Sequence, residues 1–174
     1  MSSISIRPAE PSDVAAVTGI YAQAVRHGTA SFEIEPPHEQ EMLRRFEALR
    51  AGGHPFLVSE LDGQVVAYAY AGPFRLRAAF DWTVEDSIYV APAAQRRGLG
   101  RKLLQALVEE SQARGFRQML AVIGDSANTP SIELHRAMGF RHIGTFSHVG
   151  FKFGRWLDSV LMQRALGLGA DAPP

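Results

Sequence analysis

Gln95-Arg96-Arg97-Gly98-Leu99-Gly100, followed by Arg101-Lys102, is the stretch on which the reading of this sequence turns. Upstream, residues 82–90 (Trp-Thr-Val-Glu-Asp-Ser-Ile-Tyr-Val) read as a strand that Pro92 breaks. Downstream, Leu103, Leu104, Leu107 and Val108 recur at helical spacing from about Leu99 to Arg114, and Gly115 closes the run. The loop therefore opens a helix, where free N–H groups and the positive end of the helix dipole attract an anion. Gly98 and Gly100 let a ligand reach the backbone with no Cβ in the way. Arg96, Arg97, Arg101 and Lys102 add positive charge, so a pyrophosphate is the natural guest. A dinucleotide fingerprint requires a third glycine where Leu103 stands, and a P-loop requires Gly-Lys-Ser/Thr where the chain has Gly100-Arg101-Lys102. The same residues also allow a blander reading, a glycine-rich helix start with solvated arginines.

Working outward, 3–8 reads as a strand, and Pro11-Ser12-Asp13 opens a helix that Gly28 stops. Thr29 to Pro36 is a loop, and a second helix spans about Pro37 to Ala51. Strands 55–61 and 64–70 are joined by Asp62-Gly63, a tight-hairpin signature. Residues 74–80 link them to the strand before the glycine loop. After the long helix come a buried strand (118–123), a helix (128–138, closed by Gly139) and two strands (140–151 and 156–166). The order is β-α-α-β-β-β-α-β-α-β-β, which gives an α/β fold. Its sheet is mixed and mostly antiparallel, about seven strands flanked by four helices.

The chain of 174 residues suits one domain over 1–166, with a Gly/Pro-rich, loose tail over 167–174. Lys+Arg and Asp+Glu are both 18, so the formal net charge is zero and no global field points to nucleic acid or an anionic membrane. The pair Arg44-Arg45 is too short for a nucleic-acid stripe. There is no cysteine, which excludes disulfides, cysteine metal ligands and a cysteine nucleophile. The N-terminus has no apolar run of signal-peptide length, and no stretch nears the roughly 20 apolar residues of a membrane helix. A cytoplasmic protein is expected. None of the six histidines makes the His-Glu-x-x-His spacing, and no metal is expected.

The loop, in the form Gln/Arg-x-x-Gly-x-Gly/Ala after Ile88-Tyr89-Val90-Ala91-Pro92, resembles that of the GCN5-related N-acetyltransferase (GNAT) superfamily. Residues 128–140, ending Ala137-Met138-Gly139-Phe140, resemble the end of its final helix, and the element order matches from about Ile4 to Leu166. Four separated stretches, 81–90, 121–124, 130–135 and 150–158, resemble the phosphinothricin/methionine sulfoximine acetyltransferase group more narrowly. The superfamily's usual tyrosine is replaced at His135, as in that group, whereas Asp86 stands where the group commonly has a small residue.

The resemblance implies an acetyl-CoA-dependent N-acetyltransferase acting on a glutamate-like amino acid, as a cytoplasmic homodimer. It implies cofactor contacts from Ile88, Tyr89 and Val90 and from the loop Gln95, Arg96, Arg97, Gly98, Leu99, Gly100, Arg101 and Lys102, with Asn128 and Ser131 bonding the pantetheine or phosphate parts. Glu85, in an otherwise apolar strand, is the candidate base, and burial would raise its pKa usefully. The alternative is a solvated or arginine-paired carboxylate. Asp86 points to the opposite face of a regular strand. His135 is the candidate acid for the leaving thiolate, or else a histidine packed on its own helix. Phe32, Glu33, Phe74, Arg75, Arg77 and Lys152 are candidates for the acceptor pocket, where arginine would clamp a carboxylate. A peptide N-terminus or a polyamine is the alternative acceptor. A coenzyme-A-binding regulatory module without turnover is the alternative function.

Overall fold

Seven strands hydrogen-bond into one sheet in the order β1-β2-β3-β4-β5-β7-β6. The structure is a computed structural model that describes residues 3–174; Met1 and Ser2, at the head of the expected 1–166 domain, lie outside the described residues. In chain order the elements are β1 (Ile4–Pro8), α1 (Val14–His27), α2 (Glu39–Ala51), β2 (Phe56–Leu61), β3 (Gln64–Pro73) and β4 (Thr83–Val90). They continue with α3 (Leu99–Ala113), β5 (Gln118–Gly124), α4 (Thr129–Ala137), β6 (Arg141–Lys152) and β7 (Arg155–Ala165). Every neighbouring pair is antiparallel except β4 and β5, which α3 connects in parallel. This is the mixed α/β order expected from the sequence.

Two cores form on the two faces. On one, Leu103, Leu104, Leu107 and Val108 of α3 pack with Val84, Met119, Ala121 and Met162. On the other, Val17, Tyr21 and Val25 of α1 and Met42 and Phe46 of α2 pack on Val58 and Tyr68. Each such leucine contributes about 1.5–3 kcal/mol by leaving water. Strand alternation sends Val84, Asp86, Ile88 and Val90 of β4 toward the α3/α4 layer and Glu85, Ser87 and Tyr89 toward α1 and α2.

One detail differs from expectation: β3 continues past Tyr70 because Ala71 and Gly72 stay paired with Asp86 and Glu85. Residues 167–174 make two turns (Gly169 N–H to Leu166 O and Asp171 N–H to Leu168 O), and Arg117 donates to Pro173 O. Hairpin β6–β7 turns on Phe153-Gly154, both at positive φ (53° and 72°), as Asp62-Gly63 does between β2 and β3.

Candidate active site

β4 and β5 pair only from Thr83↔Gln118 to Asp86↔Ala121. Beyond that register Ser87–Val90 and Val122–Gly124 face each other unpaired, because β4 stays paired with β3 and β5 with β7. A narrow cleft opens there, with Ser87, Ile88 and Tyr89 on one wall, Val122 and Ile123 on the other, and Asn128 and Ser131 at its α4 side. Unpaired strand edges leave backbone N–H and C=O groups for a ligand.

At the end of β4, a one-turn helix (Pro92–Ala94) leads into the glycine loop. Gln95 Nε2 donates to Val90 O at 3.3 Å. Arg96 (φ 60°) and Gly98 (φ 76°) adopt left-handed backbone, and a Cβ on Gly98 would meet nothing within 4 Å. Gly98 is the N-cap of α3 and supplies no side-chain cap. The first-turn amides of a 15-residue helix are thus open, beside exposed Arg96, Arg97, Arg101 and Lys102. Leu99 is buried and anchors the turn, and Gly100 faces Val90 and Leu134. This edge cleft and uncapped helix end fit the thin pantetheine arm and the pyrophosphate of acetyl-CoA. Asn128 caps α4 through Ser131 N–H (3.4 Å) and donates to Gly124 O (3.4 Å), so its side chain fixes the cleft's α4 wall.

Glu85 lies on the other face, in a groove of about 490 Å³ that it lines with Arg44, Arg45, Tyr70, Gly72 and Ser87. Burial, with the charge of Asp86 adding to it, pushes the Glu85 carboxyl up to about 7. Arg44, Arg45 and Tyr70 were not among the expected site residues. Their only sequence signal was two arginines beside the apolar stripe Met42, Phe46 and Leu49 of α2.

Asp86 turns the opposite way and meets His135, with Nε2 to Oδ2 at 2.8 Å, while Nδ1 donates to Ser131 O at 2.7 Å. Both ring nitrogens are thus committed, and the ring stands edge-on to Phe140. Oδ1 of Asp86 is buried without a hydrogen-bond partner among the described residues, at the closed end of the cleft.

The expected acceptor residues do not converge. Arg75 stacks on Phe74 (5.0 Å) and Phe80 (5.4 Å) and borders a second cavity of about 310 Å³ next to the groove. Arg77 is exposed at the start of a one-turn helix. Glu33 accepts from Tyr21 Oη (2.8 Å) and from Arg45 Nη1 (2.6 Å), so it is a strut rather than a free carboxylate. Phe32 sits over Gly150. Lys152 is buried and donates to Gly28 O and Ser31 O, away from the groove, because those carbonyls take up its donors.

The sequence profile of the acetyltransferase (GNAT) family matches residues 19–140. The chain is 47% identical over 170 residues to a phosphinothricin N-acetyltransferase of Alcaligenes faecalis, covering 98% of this chain and 86% of that one. It is 44% identical over 163 residues to an L-methionine sulfoximine/L-methionine sulfone acetyltransferase of Salmonella typhimurium, covering 94% and 95%. A crystal structure of a phosphinothricin acetyltransferase from Sinorhizobium meliloti in complex with acetyl-CoA superposes with a TM-score of 0.95 at 45% identity, over 98% of this chain and 92% of that one. With its family profile and its relatives in agreement, this chain belongs to the acetyltransferase (GNAT) family.

Proposed function

We propose that the protein transfers the acetyl group of acetyl-CoA to the amine of a small glutamate-like amino acid, phosphinothricin, methionine sulfoximine or methionine sulfone, with both substrates bound together. The observation that carries this reading is Glu85. It is a carboxyl poised at about 7, in the floor of a groove, one residue from the point where β4 and β5 part. The substrates named for the relatives support the acceptor class.

Acetyl-CoA supplies an activated thioester. The glycine loop and the N-terminus of α3 bind its pyrophosphate, and the unpaired edges of β4 and β5 hold its extended arm. Glu85, directly or through a water, removes the proton that the ammonium must lose before it can attack. A backbone N–H near Tyr89 or Val90, on the open edge, supports the charge that develops on the carbonyl oxygen. His135 and Asp86 hold one mobile proton between them. His135 is the candidate donor to the departing thiolate, which requires its Nε2 proton to leave Asp86. The chain has no cysteine, so no cysteinyl acetyl-enzyme forms on it. Arg44 is paired with Glu41 and Arg45 with Glu33 and Glu41, so Arg75, beside the groove, is the cation that suits an anionic acceptor better than a polyamine.

We further propose a cytoplasmic homodimer. Among the described residues no helix is long and apolar enough to cross a membrane. The edge strand β6 and its hairpin expose Phe146, Val149, Phe151, Phe153 and Trp156, an apolar patch on an open sheet edge.

Release of free thiol from acetyl-CoA tests the activity, with phosphinothricin, methionine sulfoximine, methionine sulfone, spermidine and a short peptide as acceptors. Turnover with the first three is expected. Turnover with spermidine or peptide alone would replace the acceptor, and cofactor binding without any turnover would favour a regulatory module.

A further inference from the structure

Lys152 ends β6 with only 4% of its surface exposed. Its ammonium donates to Gly28 O at 2.9 Å and Ser31 O at 2.8 Å, and lies 5.0 Å from the centre of the Phe153 ring. No carboxylate lies within ion-pair distance among the described residues. Burial lowers its pKa, with the charge of Glu33 opposing. Burying an ammonium against carbonyls alone is unfavourable beside an apolar residue, so the arrangement points to placement of the loop rather than to stability.

Two glycines complete the seat. An ideal Cβ on Gly124 would stand 2.0 Å from Thr29 O, and one on Gly150 would stand 2.7 Å from ring carbons of Phe32. Residues 28–32 are thereby held at three points against β5 and β6: carbonyls on Lys152, backbone on Gly124 and an aromatic ring on Gly150. The held segment serves both halves of the site. Ala30 lines the cleft between β4 and β5. Glu33, just beyond, holds Arg45, which forms part of the Glu85 groove wall.

We propose that Lys152 is a positioning residue for acceptor binding: by capping the Gly28 and Ser31 carbonyls it fixes the loop between α1 and α2, and with it the Glu33–Arg45 wall of the groove. The kinetic part of this inference rests on the acetyltransferase reading, and the structural part does not.

The absence of native cysteine gives a direct test. Lys152→Cys, alkylated with 2-bromoethylamine in denaturant and refolded, regains an ammonium on a side chain of lysine length. Lys152→Met and unalkylated Lys152→Cys should raise the acceptor KM about tenfold or more, the scale of lost charged hydrogen bonds. The KM for acetyl-CoA should rise by less, because Ala30 is the only residue of 28–32 that lines its cleft. Amide exchange over 28–36 should accelerate in both variants, and aminoethylation should restore both readouts. Gly150→Ala, which pushes on Phe32 and leaves the ammonium alone, should give the same acceptor-selective change. It serves as an independent variant if Lys152→Met does not fold. Unchanged acceptor KM and exchange, an equal rise in both KM values, or failure of aminoethylation to restore them would overturn the role. If the wild type acetylates no amine, the acetyltransferase reading fails by itself. Loop exchange then decides for Lys152: acceleration reversed by aminoethylation supports it, and no acceleration refutes it.

Discussion

Nε2 of His135 lies 2.8 Å from Oδ2 of Asp86, and side-chain exposure is 3% and 1%. Because Ser131 O can only accept, Nδ1 carries a proton, and the contact with Asp86 holds one more. Burial works against the imidazolium, but the hydrogen bond and charge of Asp86, with Ser131 O, overcome it and leave the His135 pKa above its ordinary value. A raised pKa contributes stability that is complete below about 6.5 and is lost as pH rises through the folded value. In Asp86→Asn the ring is neutral and that contribution is absent. The variant should therefore melt well below wild type at acid pH, by about 3 kcal/mol, the scale of a broken buried pair. The gap should narrow as pH rises above about 6.5 and through the folded value. Thermal melts across that range check this, and a gap independent of pH would disprove the charged pair.

Glu85 sets the second expectation. A carboxyl at about 7 makes kcat/KM climb with pH below that value and level off above it. Glu85→Gln should lower kcat by about 10²- to 10⁴-fold and abolish the limb. Since the charge of Asp86 adds to the shift, Asp86→Asn should move the limb to lower pH. Rate profiles of the three proteins separate these outcomes. A limb that persists in Glu85→Gln would assign the base elsewhere.

How far the sequence could be read depended on range. The α3 spacing Leu103, Leu104, Leu107, Val108 and the Asp62-Gly63 turn are local signals, and the elements they mark stand where expected. The alternation that separates Glu85 from Asp86 is local too. Partners across the fold were not legible. Asp86 meets His135 across 49 positions, and Lys152 reaches Ser31 across 121. Nothing local to Lys152 marks it as buried, and only tertiary packing turns it inward onto the loop after α1. The strand expected over 64–70 runs on to Pro73, because pairing with β4 outweighs the weak strand preference of Gly72 and Pro73.

Gly98 tests the anion loop. It holds φ at 76° with open space around its missing Cβ, so Gly98→Ala meets no clash, only the left-handed backbone cost of about 1–2 kcal/mol. If the Ala loop relaxes to right-handed backbone when free and must return to the left-handed turn to cradle a pyrophosphate, that cost appears as coenzyme A affinity weakened about 5- to 30-fold. Acceptor KM at saturating acetyl-CoA should be unchanged. Calorimetric titration with coenzyme A measures the first quantity, and unaltered affinity would remove the loop from the cofactor site.

Trp156 carries the last expectation. It pairs with Phe151 across β6 and β7, ring centres 5.2 Å apart, yet 59% of its surface is exposed. Two exposed aromatics packed edge-to-face at the tip of the β6–β7 hairpin bury little surface within one chain, so their value to the fold is small. Their value to an interface is large, because aromatic side chains dominate buried contact patches. Trp156→Glu should thus leave the monomer's melting temperature nearly unchanged while halving the mass seen by light scattering. If wild type already runs at the mass of one chain, or Trp156→Glu unfolds without dissociating, the exposed hairpin is not where two copies meet.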